Sequence, residues 1–150
     1  MKRRRQSGMT LVELIAAVAV MAILATGVLP IARAMVKRER ERQLRVALWT
    51  MRDAIDRYKD EADRHKFQIK LDSQGYPPSL EELVKGVDEG GIKKKFLRRI
   101  PVDPMTGTTD WGLRSNQDSP DSTSWGGQAV FDVYTKSKAT ALDGSKYSDW

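Results

Sequence analysis

The stretch Ser-Gly-Met-Thr-Leu-Val-Glu at residues 7–13 decides how this chain is organised. It joins a basic leader, with lysine and arginine at residues 2–5, to a long apolar run, and it places Glu13 at the start of that run. Residues 14–32 carry no charged side chain. As a helix rising ~1.5 Å per residue, this run nearly matches the ~30 Å hydrocarbon core of a bilayer. The segment is therefore long enough to enter a membrane.

Glu13 is the anomaly in this segment, because a carboxylate in apolar surroundings is costly unless it is neutralised or paired. Cleavage after Gly8 would create an α-amino group on Met9, at the start of the helix that carries Glu13. That amine can pair with Glu13 of its own chain or with Glu13 of a neighbouring copy in an apolar bundle. The second arrangement predicts a polymer.

The pattern Gly-Met-Thr-x-x-Glu at residues 8–13, with the basic leader before it and Pro30 in the apolar run, resembles the class III signal of type IV pilins and type II secretion pseudopilins. The resemblance implies that a membrane-bound prepilin peptidase cleaves between Gly8 and Met9 and N-methylates Met9. It also implies assembly roles for Glu13 and for the helix-kinking Pro30. Methionine stands at residue 9, where phenylalanine is commoner in that family.

Three later stretches are similar to the major, or G-type, pseudopilins. They are the proline-containing segments 76–80 and 96–104, and the tail 141–150. In that family the tail forms a calcium-binding loop, so the resemblance implies calcium ligands at Asp143 and Asp149. Residues 137–140 lack the family's earlier aspartate, and backbone carbonyls would have to complete the site. The alternative is a turn with a capping aspartate and Trp150 in the core.

The fold class expected from this resemblance is α+β and pilin-like, with the second half of a long N-terminal helix packed on a small antiparallel sheet. Residues 1–8 would be a cleaved leader, 9–36 a transmembrane and filament-core helix, and 37–150 an amphipathic helix with a globular domain. Six residues after position 43 share one helical face at 100° per residue and are predicted to form the core: Leu44, Leu48, Met51, Ile55, Tyr58 and Ala62. Strands are predicted at 110–114 and 129–135, with Phe131 and Val133 on one face.

The remaining local predictions concern single side chains. Within the charged run 37–45, Glu39 is spaced to pair with Arg42 and Glu41 with Arg45. Trp49 and Val46 fall among polar residues on the other side of the helix, so we expect Trp49 to contact an adjacent subunit. Ser79 and Glu82 read as a capping box before a short helix that ends at Gly86, and residues 90–95 as an exposed loop.

Composition excludes several functional classes. The formal net charge of +6 falls to +2 without the leader residues 2–5, which removes the main support for a nucleic-acid-binding protein. The chain has no cysteine, so neither a disulfide framework nor a thiolate site is available. No common catalytic signature occurs, and His65 stands alone near a helix end. We therefore expect a substrate of an enzyme and not an enzyme.

The function that the resemblance implies is a structural subunit of a type II secretion pseudopilus. Its expected partners are further copies of itself, the prepilin peptidase, minor pseudopilins, the inner-membrane assembly platform and, before assembly, membrane lipid. It would cross the bacterial inner membrane once, with its C-terminal domain in the periplasm. The alternatives are a type IV pilin, a single-pass anchored binding domain that never polymerises, and an ordinary secretory signal cleaved after the small-x-small triplet 32–34.

Overall fold

The computed structural model describes residues 8–68 and 73–150, except for the side chains at 27–29. The leader residues 1–7 thus lie outside the described part of the chain. Two compact units are present, Met1–Arg38 and Glu39–Trp150. The α+β class is confirmed: a long helix is followed by a short helix and four short strands.

Helix α1 spans Leu11–Asp63 and supplies residues to both units. Thr10 caps its start, since the Thr10 Oγ1 accepts the N–H of Glu13 at 3.3 Å and the Thr10 carbonyl accepts the N–H of Leu14 at 3.1 Å. The helical conformation continues through Pro30.

The first unit is the apolar half of α1. Within the described residues, α1 is the one helix long and apolar enough to cross a membrane. Its large apolar side chains are exposed on all sides, including Leu11, Val12, Leu14, Ile15, Val18, Val20, Met21, Ile23, Leu24 and Ile31. An exposed apolar surface of this size marks a membrane or an assembly interface.

In the second unit, the second half of α1 forms one side of the core. All six predicted core residues are buried, and the predicted ion pair between Glu39 and Arg42 is present at 2.6 Å. The core is completed by apolar side chains from the later segments: Leu80, Leu83, Val87, Phe96, Leu97, Trp111, Val130, Val133, Ala141 and Tyr147.

Helix α2, Leu80–Lys85, ends at Gly86 as predicted, with φ of 80° at this residue. The capping box is wrong, because the Ser79 side chain makes no capping hydrogen bond. After α2, Gly90 and Gly91 form an exposed turn as predicted, but the residues that follow are not a loop. Strands β1 (Val87–Glu89) and β2 (Ile92–Lys94) form an antiparallel hairpin around this turn. A Gly-Gly pair between short strands favours this tight turn, because both residues adopt positive φ.

Strands β3 (Gly112–Arg114) and β4 (Asp132–Tyr134) form a second antiparallel pair. Both lie inside the predicted stretches but are shorter. The prediction that Phe131 and Val133 lie on one face of the strand is wrong, because Val133 is buried and Phe131 is half exposed. Phe131 precedes the strand and packs against Tyr76, with ring centroids 5.3 Å apart.

Gly112 is required by the ring of Tyr134. A Cβ at Gly112 would lie 2.2 Å from the Tyr134 Cζ, and the ring is fixed by the Arg114 guanidinium, 4.1 Å from its centroid, and by a hydroxyl bond to the Thr123 carbonyl. We expect Gly112→Ala to lower the free energy of unfolding by about 1–3 kcal/mol, measured by urea denaturation. In a Tyr134→Ala background the substitution should cost much less, and an equal cost in both backgrounds would contradict the steric explanation.

An ion-pair cluster joins the end of α1 to the β1–β2 hairpin. The Glu61 Oε2 lies 3.0 Å from the Nζ atoms of both Lys66 and Lys94, as ion-pair contacts without hydrogen-bond geometry, and Glu89 contacts the same two lysines. Lys66 and then Lys94 hold the pKa of Glu61 below its usual value of 4.5. The stability that this gives is present above the unfolded-state pKa and is lost as pH falls through the folded-state pKa.

The pH dependence of stability is therefore predicted to differ between the wild type and Glu61→Gln. From about pH 5 to about pH 3, the melting temperature of the wild type should fall more steeply. Thermal unfolding in a pH series measures this difference. Parallel curves would show that Glu61 does not titrate differently on folding.

Candidate assembly site

The start of α1 presents the predicted processing and assembly residues on an open surface. Met9 is 67% exposed, and nothing lies within 4 Å of a Cβ built at Gly8. Glu13 is also exposed, and within the described residues its carboxylate has no ion-pair partner. Its neighbours Leu11 and Val12 are about three-quarters exposed. A carboxylate therefore stands within an apolar surface, where it needs a cation once water is excluded.

A second exposed feature surrounds Trp49. This side chain is 68% exposed, and Val46, one turn earlier, is 53% exposed, as predicted. Beside Trp49 lies a pocket of about 360 Å³, lined by Arg45, Leu48, Trp49, Arg52, Asp143 and Trp150. The pocket thus combines two indole rings with two guanidinium groups. An exposed indole on a helix is a common anchor of protein interfaces.

The two arginines of this pocket are held in place by strand β4 and by Trp150. The Arg45 guanidinium lies 4.2 Å from the ring centroid of Trp150. Arg52 donates to the Asp132 Oδ1 at 2.7 Å, to the Val133 carbonyl at 3.2 Å and to the Trp150 carbonyl at 2.7 Å. The walls around Trp49 are therefore ordered before a partner binds.

The two predicted calcium ligands lie in the closing loop, residues 139–150. One carboxylate oxygen of each ligand accepts a hydrogen bond from within the loop. The Asp143 Oδ1 accepts the N–H of Ser145 at 2.9 Å and its hydroxyl at 2.6 Å, and these bonds lower the pKa of Asp143. Asp149 accepts the hydroxyl hydrogen of Ser148 at 2.9 Å.

Calcium takes about 6–8 oxygen ligands. No group of three or more acidic, histidine or cysteine residues with metal-binding geometry occurs in the described chain. Calcium binding stays a prediction, and backbone carbonyls would have to supply most of the ligands.

Glu41 is the residue of this region that sequence reasoning placed wrongly. It does not pair with Arg45; it is 7% exposed and accepts the Leu142 N–H at 2.8 Å and the Tyr147 hydroxyl at 2.9 Å. Burial and the bond to Glu41 raise the pKa of Tyr147 to about 12. Helical periodicity carried a signal, because Glu41 precedes the core residues Leu44 and Leu48 by three and seven positions, on their face.

Comparison with known proteins agrees with these features. The prokaryotic N-terminal methylation motif matches residues 3–29, which include Gly8, Met9 and Glu13. The type II secretion system core protein G of Pseudomonas aeruginosa is 30% identical over 146 residues, covering 90% of this chain and 85% of that protein. The chain belongs to the type II secretion core protein G family. No solved structure matches it.

Membership of this family confirms the resemblance inferred from residues 8–13 and from the later segments. It favours a structural and non-enzymatic role. The apolar half of α1 fits a membrane-anchored periplasmic filament subunit. The processing and assembly roles stay predictions for Gly8, Met9, Glu13, Pro30 and Trp49. The structure shows that all five residues are exposed and could reach a partner.

Proposed function

We propose that this chain is a structural subunit of a type II secretion pseudopilus, as the major pseudopilin, and that it polymerises through its N-terminal helix to help drive protein export across the outer membrane. The observation that carries this function is the match to core protein G over 90% of the chain. The methylation motif at residues 3–29 supports the same function independently, because it lies in the segment that would be processed.

Assembly begins with removal of the leader. The prepilin peptidase cleaves between Gly8 and Met9 and methylates the new amino group. Residues 9–36 then form the filament core, and residues 37–150 form the domain that coats it. In this core the exposed apolar side chains of α1 leave lipid or water and pack on other copies. The Met9 amine pairs with Glu13 of a neighbouring copy, which removes the cost of burying either charge alone. Pro30 introduces the bend that the packed helices need.

Before assembly the subunit lies in the bacterial inner membrane, with the basic leader in the cytoplasm and the globular domain in the periplasm. Its partners are copies of itself, the minor pseudopilins and the inner-membrane assembly platform. The basic residues that follow the apolar run, among them the exposed Arg33, Arg38 and Arg40, would lie at the periplasmic face of that membrane.

Mass analysis of the N-terminus tests the proposed function most directly. Protein purified from native membranes is expected to begin at Met9 and to carry one added methyl group on its amine. A chain that still begins at Met1 would favour a plain membrane anchor. A chain that begins at Met35 would favour an ordinary signal peptide cleaved after the triplet 32–34.

Trp49 is predicted to contribute to the contact between subunits. Trp49→Ala should reduce the yield of sheared pseudopili about tenfold or more, because a central tryptophan contributes ~2 kcal/mol or more to many interfaces. The melting temperature of the monomer should stay unchanged, since the indole is exposed. Trp125→Ala is the matched control, because Trp125 is 38% exposed and lies in the loop between β3 and β4. Normal pseudopilus yield from Trp49→Ala would contradict this contact.

A further inference from the structure

The closing loop lies against α1 and is held there by the side chain of Glu41. We propose that the buried Glu41 carboxylate fixes the conformation of this loop, which a bound cation would otherwise have to do. The domain then folds, and the subunit assembles, without a divalent metal ion. The monomer part of this inference is independent of the proposed function. The assembly part rests on it.

The neck of the loop is closed by its own backbone. The Ala141 N–H donates to the Ser145 carbonyl at 2.8 Å, the Tyr147 N–H donates to the Ala139 carbonyl at 3.2 Å, and Thr140 forms an antiparallel bridge with Lys146. The carbonyl oxygens of Ala139 and Ser145 therefore already accept amide hydrogens. A hard cation needs such oxygens as ligands, and at these two positions it would have to share them with the amides that close the neck.

The groups that the loop turns toward α1 are donors. The Leu142 N–H and the Tyr147 hydroxyl both donate to the Oε1 of Glu41, and both bonds are shorter than 3.0 Å. A calcium site converges oxygen acceptors on a point, whereas this loop converges hydrogen donors on one. The acceptor that satisfies converging donors is an anion, and the helix supplies it as Glu41.

Two basic residues also lie at the loop. Arg45, one turn after Glu41, lies over the Trp150 ring, and its charge contributes to the lowered pKa of Asp143. Lys146 stands in the neck itself. A divalent cation at Asp143 would be repelled by the Arg45 guanidinium, whose charge already acts on this carboxylate. Arg52 adds a second attachment through the Trp150 carbonyl, so α1 holds the loop on either side.

The full chain in detergent micelles allows a direct test by thermal unfolding. The melting temperature should be the same within about 2 °C after dialysis against EGTA and in millimolar CaCl2. Glu41→Ala should lower it by at least about 10 °C, because two bonds to a buried charged acceptor are lost. Glu39→Ala is the matched control: Glu39 lies on the same helix two positions earlier with its side chain 50% exposed, and this variant should shift the melting temperature by less than about 2 °C.

A double-mutant cycle with Tyr147→Phe distinguishes the carboxylate–donor contact from general packing. Removal of the hydroxyl should lower the melting temperature in the wild type but have little effect in Glu41→Ala, and CaCl2 should not restore Glu41→Ala. The inference is overturned by a calcium-induced rise of several degrees in the wild type, by additive effects in the cycle, or by calcium rescue of Glu41→Ala. Pseudopilus yield in EGTA tests the assembly part, and loss of pseudopili in EGTA alone would overturn it. An unprocessed N-terminus would contradict the proposed function and leave these melting temperatures unaffected.

Discussion

Glu13→Ala is expected to abolish pseudopilus assembly and leave the globular domain folded. In the monomer Glu13 is exposed at the start of α1, far in sequence from the core that begins at Leu44, so its loss should not change the melting temperature. In a filament core, removal of the carboxylate leaves the Met9 amine buried without a partner, which costs roughly 3–5 kcal/mol for each subunit. Ultracentrifugation of sheared pseudopili measures the polymer, and thermal unfolding measures the domain.

Glu39→Ala again provides the matched control, because it removes an exposed glutamate from the same helix and should leave the pseudopilus yield near that of the wild type. In cells that also produce the wild type, Glu13→Ala subunits should be nearly absent from the pelleted filaments. Wild-type amounts of polymer from Glu13→Ala would instead favour the single-pass anchored domain that does not polymerise.

The features that could be predicted from sequence are those set by local periodicity and by local backbone chemistry. The six core residues of α1 repeat at helical spacing, and burial of one helical face follows from that spacing. Gly86 ends α2 because a glycine tolerates the positive φ found there. The exposure of Trp49 was predictable for the same reason as the core, since it lies on the opposite face.

The features that sequence reasoning missed depend on contacts between distant residues. Arg45 is correctly spaced to pair with Glu41, so local rules favour an ion pair. The Glu41 carboxylate instead accepts hydrogen bonds from the Leu142 N–H and the Tyr147 hydroxyl. Those partners lie more than a hundred positions later in the chain, and no local sequence pattern predicts them. The acidic residues of the tail suggested a calcium site in the sequence. In the structure, the hydrogen-bond donors of Leu142 and Tyr147 attach the tail to Glu41.

Asp103 shows the same limitation, and it is expected to be among the most sensitive positions of the domain. Sequence reasoning gives this aspartate no individual role, but the structure buries it completely. Its Oδ1 accepts the Met105 N–H at 2.7 Å, its Oδ2 accepts the Thr135 hydroxyl, and its backbone joins Thr108 and Gly107 at 2.8 Å. Asp103 therefore fastens the proline-rich segment to the end of β4.

Asp103→Ala should lower the free energy of unfolding by about 3 kcal/mol or more, because two bonds to a buried charged acceptor are lost at once and their donors stay buried. Urea denaturation measures this loss. Asp103→Asn keeps one acceptor oxygen and should lose about half as much. Asp110→Ala is the matched control, since its carboxylate is 72% exposed and pairs with Lys136 at the surface, where such pairs contribute ~1 kcal/mol or less. If Asp103→Ala were no less stable than Asp110→Ala, the segment 96–104 would have to be held by its apolar contacts, among them Phe96 and Leu97 in the core, and not by this carboxylate.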